Sequence, residues 1–165
     1  MKRFNRILLV EDSVRDAELI LTAFEGNHLA NGITHVRDGA DALDYLYRRG
    51  EFSGRLDAQP ALLLLDLKLP RVDGLEVLRQ IKGDADLKTI PVVMMTSSRQ
   101  EKDLVLSYEL GVNAYVVKPM KFEDFVNAVK QVGAFWAVMN EVPGQREKAE
   151  PESPDRNPRT TGQGE

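Results

Sequence analysis

Four of five short apolar runs end at a residue able to do chemistry. Glu11 and Asp12 follow Ile7 to Val10, Asp66 follows Ala61 to Leu65, Thr96 follows Val92 to Met95, and Lys118-Pro119 follows Ala114 to Val117. Three carboxylates brought to one place repel one another, and an apolar-walled crevice raises at least one of their pKa values unless a cation compensates. Hard oxygen donors of this kind select Mg²⁺, which keeps waters in its remaining positions. Lys118 and Thr96 would add a point charge and a hydroxyl suited to the oxygens of a phosphoryl group. Asp66 would then stand as an in-line nucleophile.

The elements that must position these residues can be read from periodicity. The fifth apolar run is Ile33 to Val36, and its Thr34 and His35 make it the most polar, as suits an edge strand. Unbroken runs such as Leu62-Leu63-Leu64-Leu65 fit central parallel strands covered on both faces. Between the runs, apolar residues recur at three- and four-residue spacing, as in Val14, Ala17, Ile20, Leu21 and Phe24, or Phe122, Phe125, Val126, Val129, Val132 and Trp136. That spacing predicts helices that lay one stripe on a sheet. Asp38-Gly39, Gly50, Asp73-Gly74, Gly83, Pro91 and Gly111 mark the boundaries. The reading is an α/β protein, a doubly wound βα repeat. In such folds the ligand crevice lies outside the carboxyl ends of the strands, and a parallel order 2-1-3-4-5 would make the strands ending in Glu11-Asp12 and Asp66 neighbours.

The bulk properties narrow the function further. A chain of 165 residues is the size of one domain plus a tail, and it contains no cysteine, so disulfides and thiolate metal sites are excluded. The net charge of −4 disfavours a broad nucleic-acid surface. The apolar run after Met1-Lys2-Arg3 is too short for a signal peptide or a membrane span, which predicts a soluble, cytoplasmic protein. Residues 1–142 are expected to form the domain, and residues 143–165, rich in proline and charge, a disordered tail.

Taken singly, each site residue has an ordinary role. Asp12, Ser13 and Asp16 suit the start of a helix, Asp66 a loop, Thr96 a strand and Lys118 a solvated surface. Their joint placement at strand ends is what those roles leave unexplained. Glu11-Asp12, Asp66 with Pro70 and Asp73-Gly74 after it, Thr96, Tyr115 and Lys118-Pro119 resemble the receiver-domain signature of response regulators, over roughly residues 5 to 138. The resemblance implies a flavodoxin-like (βα)₅ fold and phosphorylation at Asp66 by a histidine kinase. It also implies Mg²⁺ held by Glu11, Asp12, Asp66 and the Lys68 carbonyl, a Thr96–Tyr115 switch pair, and a cis peptide before Pro119. The molecule would be a signalling switch, not an enzyme for a separate substrate.

Within that family, the segment from Tyr45 to Pro60, the phrase Leu65-Asp66-Leu67-Lys68-Leu69-Pro70 and Phe135-Trp136 are similar to the small regulators paired with phytochrome kinases. That implies a phytochrome-type sensor kinase as partner, with Lys68 standing where those relatives often carry Asn. Output is expected through protein contacts, with homodimerisation through the fourth helix, fifth strand and fifth helix. An aspartyl-phosphate phosphatase would want Asp-x-Asp after the first strand, and a nucleotide-binding domain would want glycines there. His28, His35 and the Arg48-Arg49 pair read as surface groups, and Trp136 as a continuation of the helix stripe.

Overall fold

Four apolar residues in a row cannot leave one face of a strand in water, and Ile7–Val10, Leu62–Leu65 and Val92–Thr96 are strands buried at every position, whereas Ala114–Val117 is a half-buried edge strand. The computed structural model describes residues 6–26 and 32–140. Its strands are β1 (Ile7–Val10), β2 (Ile33–Val36), β3 (Leu62–Leu65), β4 (Val92–Thr96) and β5 (Ala114–Val117). They alternate with α1 (Val14–Glu25), α2 (Gly39–Tyr47), α3 (Gly74–Gly83), α4 (Glu101–Glu109) and α5 (Phe122–Gly133). All pairings are parallel in the order β2-β1-β3-β4-β5, as the sequence reading predicts. Register aligns the strand ends. Val10 lies beside Val36 and Leu65, Leu65 beside Met94, and Thr96 beside Val117.

Alternation along the strands divides the core in two. Leu8, Val10, Leu63, Leu65 and Met94 pack with α2 and α3, whereas Ile7, Leu9, Leu64, Val93 and Met95 pack with α1 and α5. The chain after Ala17 and Phe125 follows the predicted stripes, but Val14 and Phe122, expected in them, are exposed. Both lie in the first turn of their helices, past the end of the sheet, where no strand remains to cover them.

Ser13, Asp38 and Asp73 cap α1, α2 and α3 by accepting from the backbone N–H three residues on. Gly74 is required at its place, because a Cβ there would lie 2.1 Å from the Asp66 carbonyl oxygen. The start of α3 is thereby pressed against the end of β3.

The expected solvated Arg48-Arg49 helix end is more structured than charge alone suggests. Arg48 takes the left-handed conformation that ends α2 and donates to the carbonyls of Arg55 and Asp57. Arg55 then seals the α2–β3 segment. Its guanidinium stacks 4.0 Å from the Tyr45 ring centre and donates to Tyr45 O, Asp57, Ala58 O and Gln59. After α5 a single π-helical turn, Ala134–Met139, carries a half-buried Trp136 against the α1–α5 side, consistent with the predicted stripe. Phe135 is exposed, edge-on to Trp136. The peptide before Pro119 is trans, correcting the implied cis bond; the small trans preference of an X–Pro bond leaves the choice to its surroundings. His28 and the 143–165 tail lie outside the described residues. Among the described residues, no helix is long and apolar enough to cross a membrane.

Candidate functional site

The aligned strand ends deliver the predicted residues to one edge of the sheet. Oxygens of Glu11, Asp12 and Asp66 all lie within 4.8 Å of one another. Glu11 and Asp66 are buried and Asp12 is exposed, so the group has a closed floor and an open side. Opposite it, Lys118, only 8% exposed, sends its Nζ to Glu11 Oε2 at 2.6 Å and Asp66 Oδ2 at 3.1 Å. The second Asp66 oxygen, Oδ1, accepts from the Leu67 N–H at 2.7 Å.

The charges are strongly interdependent. Burial is the largest influence on Glu11 and pushes its carboxyl up to about 7 against the pull of the Lys118 hydrogen bond, the Asp66 charge adding to the rise. Burial by itself would lower Lys118. The hydrogen bond it donates to Glu11, the Asp66 and Glu11 charges and the bond to Asp16 outweigh it and hold the ammonium above the ordinary lysine range.

Thr96, at the end of β4, is almost fully buried, and its Oγ1 accepts from the Ser98 N–H at 3.2 Å. Tyr115 faces the α2–α3 side of the sheet and donates to the Ser98 carbonyl at 3.1 Å. The two residues expected to work as a pair therefore hold opposite sides of one residue in the β4–α4 loop. Ser98 is held in turn by a 2.6 Å bond from its hydroxyl to Asp103 on α4. Lys68 lies in the β3–α3 loop with its side chain in solvent.

Two neighbours of the site escaped the sequence reading. Asp16 Oδ2 accepts from Lys118 Nζ at 2.9 Å, yet an acid in a first helical turn reads as part of a cap. Asp12 precedes the Ser13 cap and lies outside the helix, so no helical spacing ties Asp16 to the site. His35 was read as a surface group on an edge strand; it is half-buried, with Nε2 2.8 Å from the Glu11 carbonyl oxygen. Register could have found it, because Leu9 pairs with His35 and the next turn of chain is Glu11.

A family model described as the response regulator receiver domain matches residues 7–130. The chain belongs to the response regulator receiver-domain family. Its relatives agree with the geometry of this receiver domain. It is 46% identical over 138 residues to the probable methanogenesis regulatory protein FilR2 of Methanothrix harundinacea, covering 84% of this chain and 87% of that one. It is 42% identical over 130 residues to response regulator Rcp1 of Synechocystis, covering 79% and 87%. The structure of the Mn²⁺-bound form of Rcp1 superposes with a TM-score of 0.77 at 39% identity, covering 84% of this chain and 99% of that chain. The bacteriophytochrome response regulator RtBRR is 58% identical with a TM-score of 0.68, covering 86% of each chain. This receiver domain is thus a response-regulator signalling protein related to phytochrome-associated regulators.

Proposed function

We propose that this receiver domain accepts a phosphoryl group on Asp66 from a sensor histidine kinase, in a reaction that requires Mg²⁺ held by Glu11, Asp12, Asp66 and the Lys68 carbonyl. The observation that carries the reading is the convergence of three carboxylates within 4.8 Å, with Lys118 across from them, at the carboxyl edge of a parallel sheet. The donor set fits the ion. All three side chains are hard oxygen donors, and exposed Asp12 leaves room for the waters that Mg²⁺ retains. That Rcp1 forms a Mn²⁺-bound structure supports a divalent cation here. When bound, the ion would screen the repulsion between Asp66 and the incoming phosphoryl oxygens.

The chain's own residues would do the rest. An Asp66 oxygen attacks phosphorus as the phosphorus–nitrogen bond of a phosphohistidine breaks, the pair of electrons leaving with the imidazole. Leu67 N–H orients the carboxylate by holding Oδ1. Lys118 gives the transferred oxygens a charge-assisted donor, and buried Thr96 supplies a hydroxyl. Drawing that hydroxyl toward the phosphoryl group takes it from the Ser98 N–H, which loosens the residue that Tyr115 also grips.

The readout of this switch is association through α4, β5 and α5, a homodimer being the simplest closed form. Val105 and Tyr108 on α4 are large, apolar and exposed there. A bacterial phytochrome is the favoured kinase partner, supported by the likeness to Rcp1 and RtBRR. A cytoplasmic setting, without nucleic acid or membrane as partner, completes the reading. The test is mass spectrometry after acetyl phosphate and Mg²⁺. One phosphoryl group is expected on the wild type and none on Asp66→Asn; stoichiometric labelling of Asp66→Asn would falsify the assignment.

A further inference from the structure

Lys118 has three N–H donors, and all three are spoken for, by Glu11, Asp66 and Asp16. Two of these acceptors belong to the carboxylate group facing the cation position. Asp16 does not. It stands on α1, at the position where a capping-box acid would reach back to the N–H of the capping residue. Here that N–H, of Ser13, is taken instead by Glu11 Oε1 at 3.0 Å, so Asp16 is free of capping duty and its carboxylate goes to Lys118.

We propose that Asp16 is the positioning residue for Lys118, the anchor that keeps the ammonium beside Asp66 once a cation and a phosphoryl group claim the other two carboxylates. The proposal rests on the reading of Asp66 as phosphoacceptor. Its physical content is a division of labour among four acids. Glu11, Asp12 and Asp66 face the cation, and the hold of Glu11 and Asp66 on Lys118 weakens as their charge is drawn to it. Asp16 holds Lys118 at 2.9 Å but stands outside the carboxylate group, so its charge is not shared with the cation. Lys118 can then release Asp66 Oδ2 and turn one N–H to the phosphoryl oxygen without leaving the site. Without Asp16 the ammonium has only the cation's ligands to rest on, where it competes with the ion.

Asp16→Asn keeps the shape and an acceptor oxygen and removes the charge. Calorimetric titration of the wild type, Asp16→Asn, Lys118→Met and the double variant gives Mg²⁺ affinity first and beryllofluoride affinity at saturating Mg²⁺ second. Asp16→Asn is expected to bind beryllofluoride about tenfold more weakly, the loss of one charge-assisted anchor, with Mg²⁺ affinity lowered only about twofold, because the ammonium then competes with the ion for Glu11 and Asp66. In the Lys118→Met background the same substitution is expected to change beryllofluoride affinity by less than about twofold, because residues acting as one unit are not additive. A helix-start acid with a merely structural role would lower thermal stability and leave both affinities alone; that result overturns the proposal. So does equal weakening of Mg²⁺ and beryllofluoride, or an undiminished effect in the Lys118→Met background. If the wild type itself bound neither ligand, the phosphoacceptor reading would fall and this inference with it. A wild type that binds both, matched by Asp16→Asn, removes only the role of Asp16.

Discussion

Two lysine heads, one buried and one half-buried, stand at opposite edges of the sheet, and their surroundings could hardly differ more. Lys118, at the carboxyl edge, is held by three carboxylates. Lys82, at the amino edge, donates to the carbonyls of Lys88 and Ile90 and to the side-chain oxygen of Asn113, with no acid among these partners. Burial depresses Lys82 below the ordinary 10.5, whereas ion pairing carries Lys118 above it. The contrast separates two uses of one side chain. Lys82 ties the end of α3 to the entries of β4 and β5 through fixed dipoles, and nothing in that arrangement can be exchanged for a ligand. Lys118 sits among charges that a cation or a phosphoryl group can replace.

The largest effect that would sharpen this contrast is on phosphorylation. Lys118→Met should slow labelling by acetyl phosphate about 100-fold or more, as loss of a preorganised donor does, while Lys82→Met should stay close to the wild-type rate. Comparable slowing by both would erase the distinction between a structural and a chemical lysine. On stability the weight shifts to Lys82. Lys82→Met should lower the free energy of unfolding in urea by about 1–3 kcal/mol, because three acceptors lose their donor.

That deficit should also depend on pH. Lys82 has a lower pKa folded than unfolded, so just below 10.5 the unfolded chain binds more protons. The lysine's contribution therefore grows as pH rises toward 10.5 and shrinks below the depressed folded value. Urea titrations from about pH 8 upward should show the gap between wild type and Lys82→Met widening, and a constant gap would mean that Lys82 is no less basic than in water. The smallest effect concerns a buried phenol that has no hydrogen-bond partner among the described residues. Tyr45 is buried with its hydroxyl unpaired. Tyr45→Phe should leave stability unchanged or raise it by up to about 1 kcal/mol. A clear loss in thermal melting would reveal a hydrogen-bonded water there.

The chemical edge was more legible than the structural one, for a physical reason. Glu11, Asp12, Asp66, Thr96 and Lys118 each follow an unbroken apolar run, and a covered parallel strand has to end where that run ends. Their meeting followed from topology alone. Lys82, Arg55 and Asn113 act through backbone carbonyls that any sequence would offer, so no residue pattern announces them. Asp16 and His35 fall between these cases. Each has a commonplace role at its position, helix start and edge strand, and only strand register and the rerouted Ser13 N–H distinguish them. The peptide before Pro119 marks the limit of likeness to a family, since its trans geometry is decided by packing around it and not by the Lys-Pro pair.

The strand order also governs what a ribosome exposes. β3 is central in space but third in synthesis, and its four leucines find β1 already made on one edge while the other edge waits for Val92. Until β4 emerges, the most apolar strand of the molecule keeps an open backbone edge, the kind of surface that invites pairing with another chain. A transcript broken between α3 and β4 would therefore yield not a smaller working switch but a sticky fragment, left to chaperones and proteases.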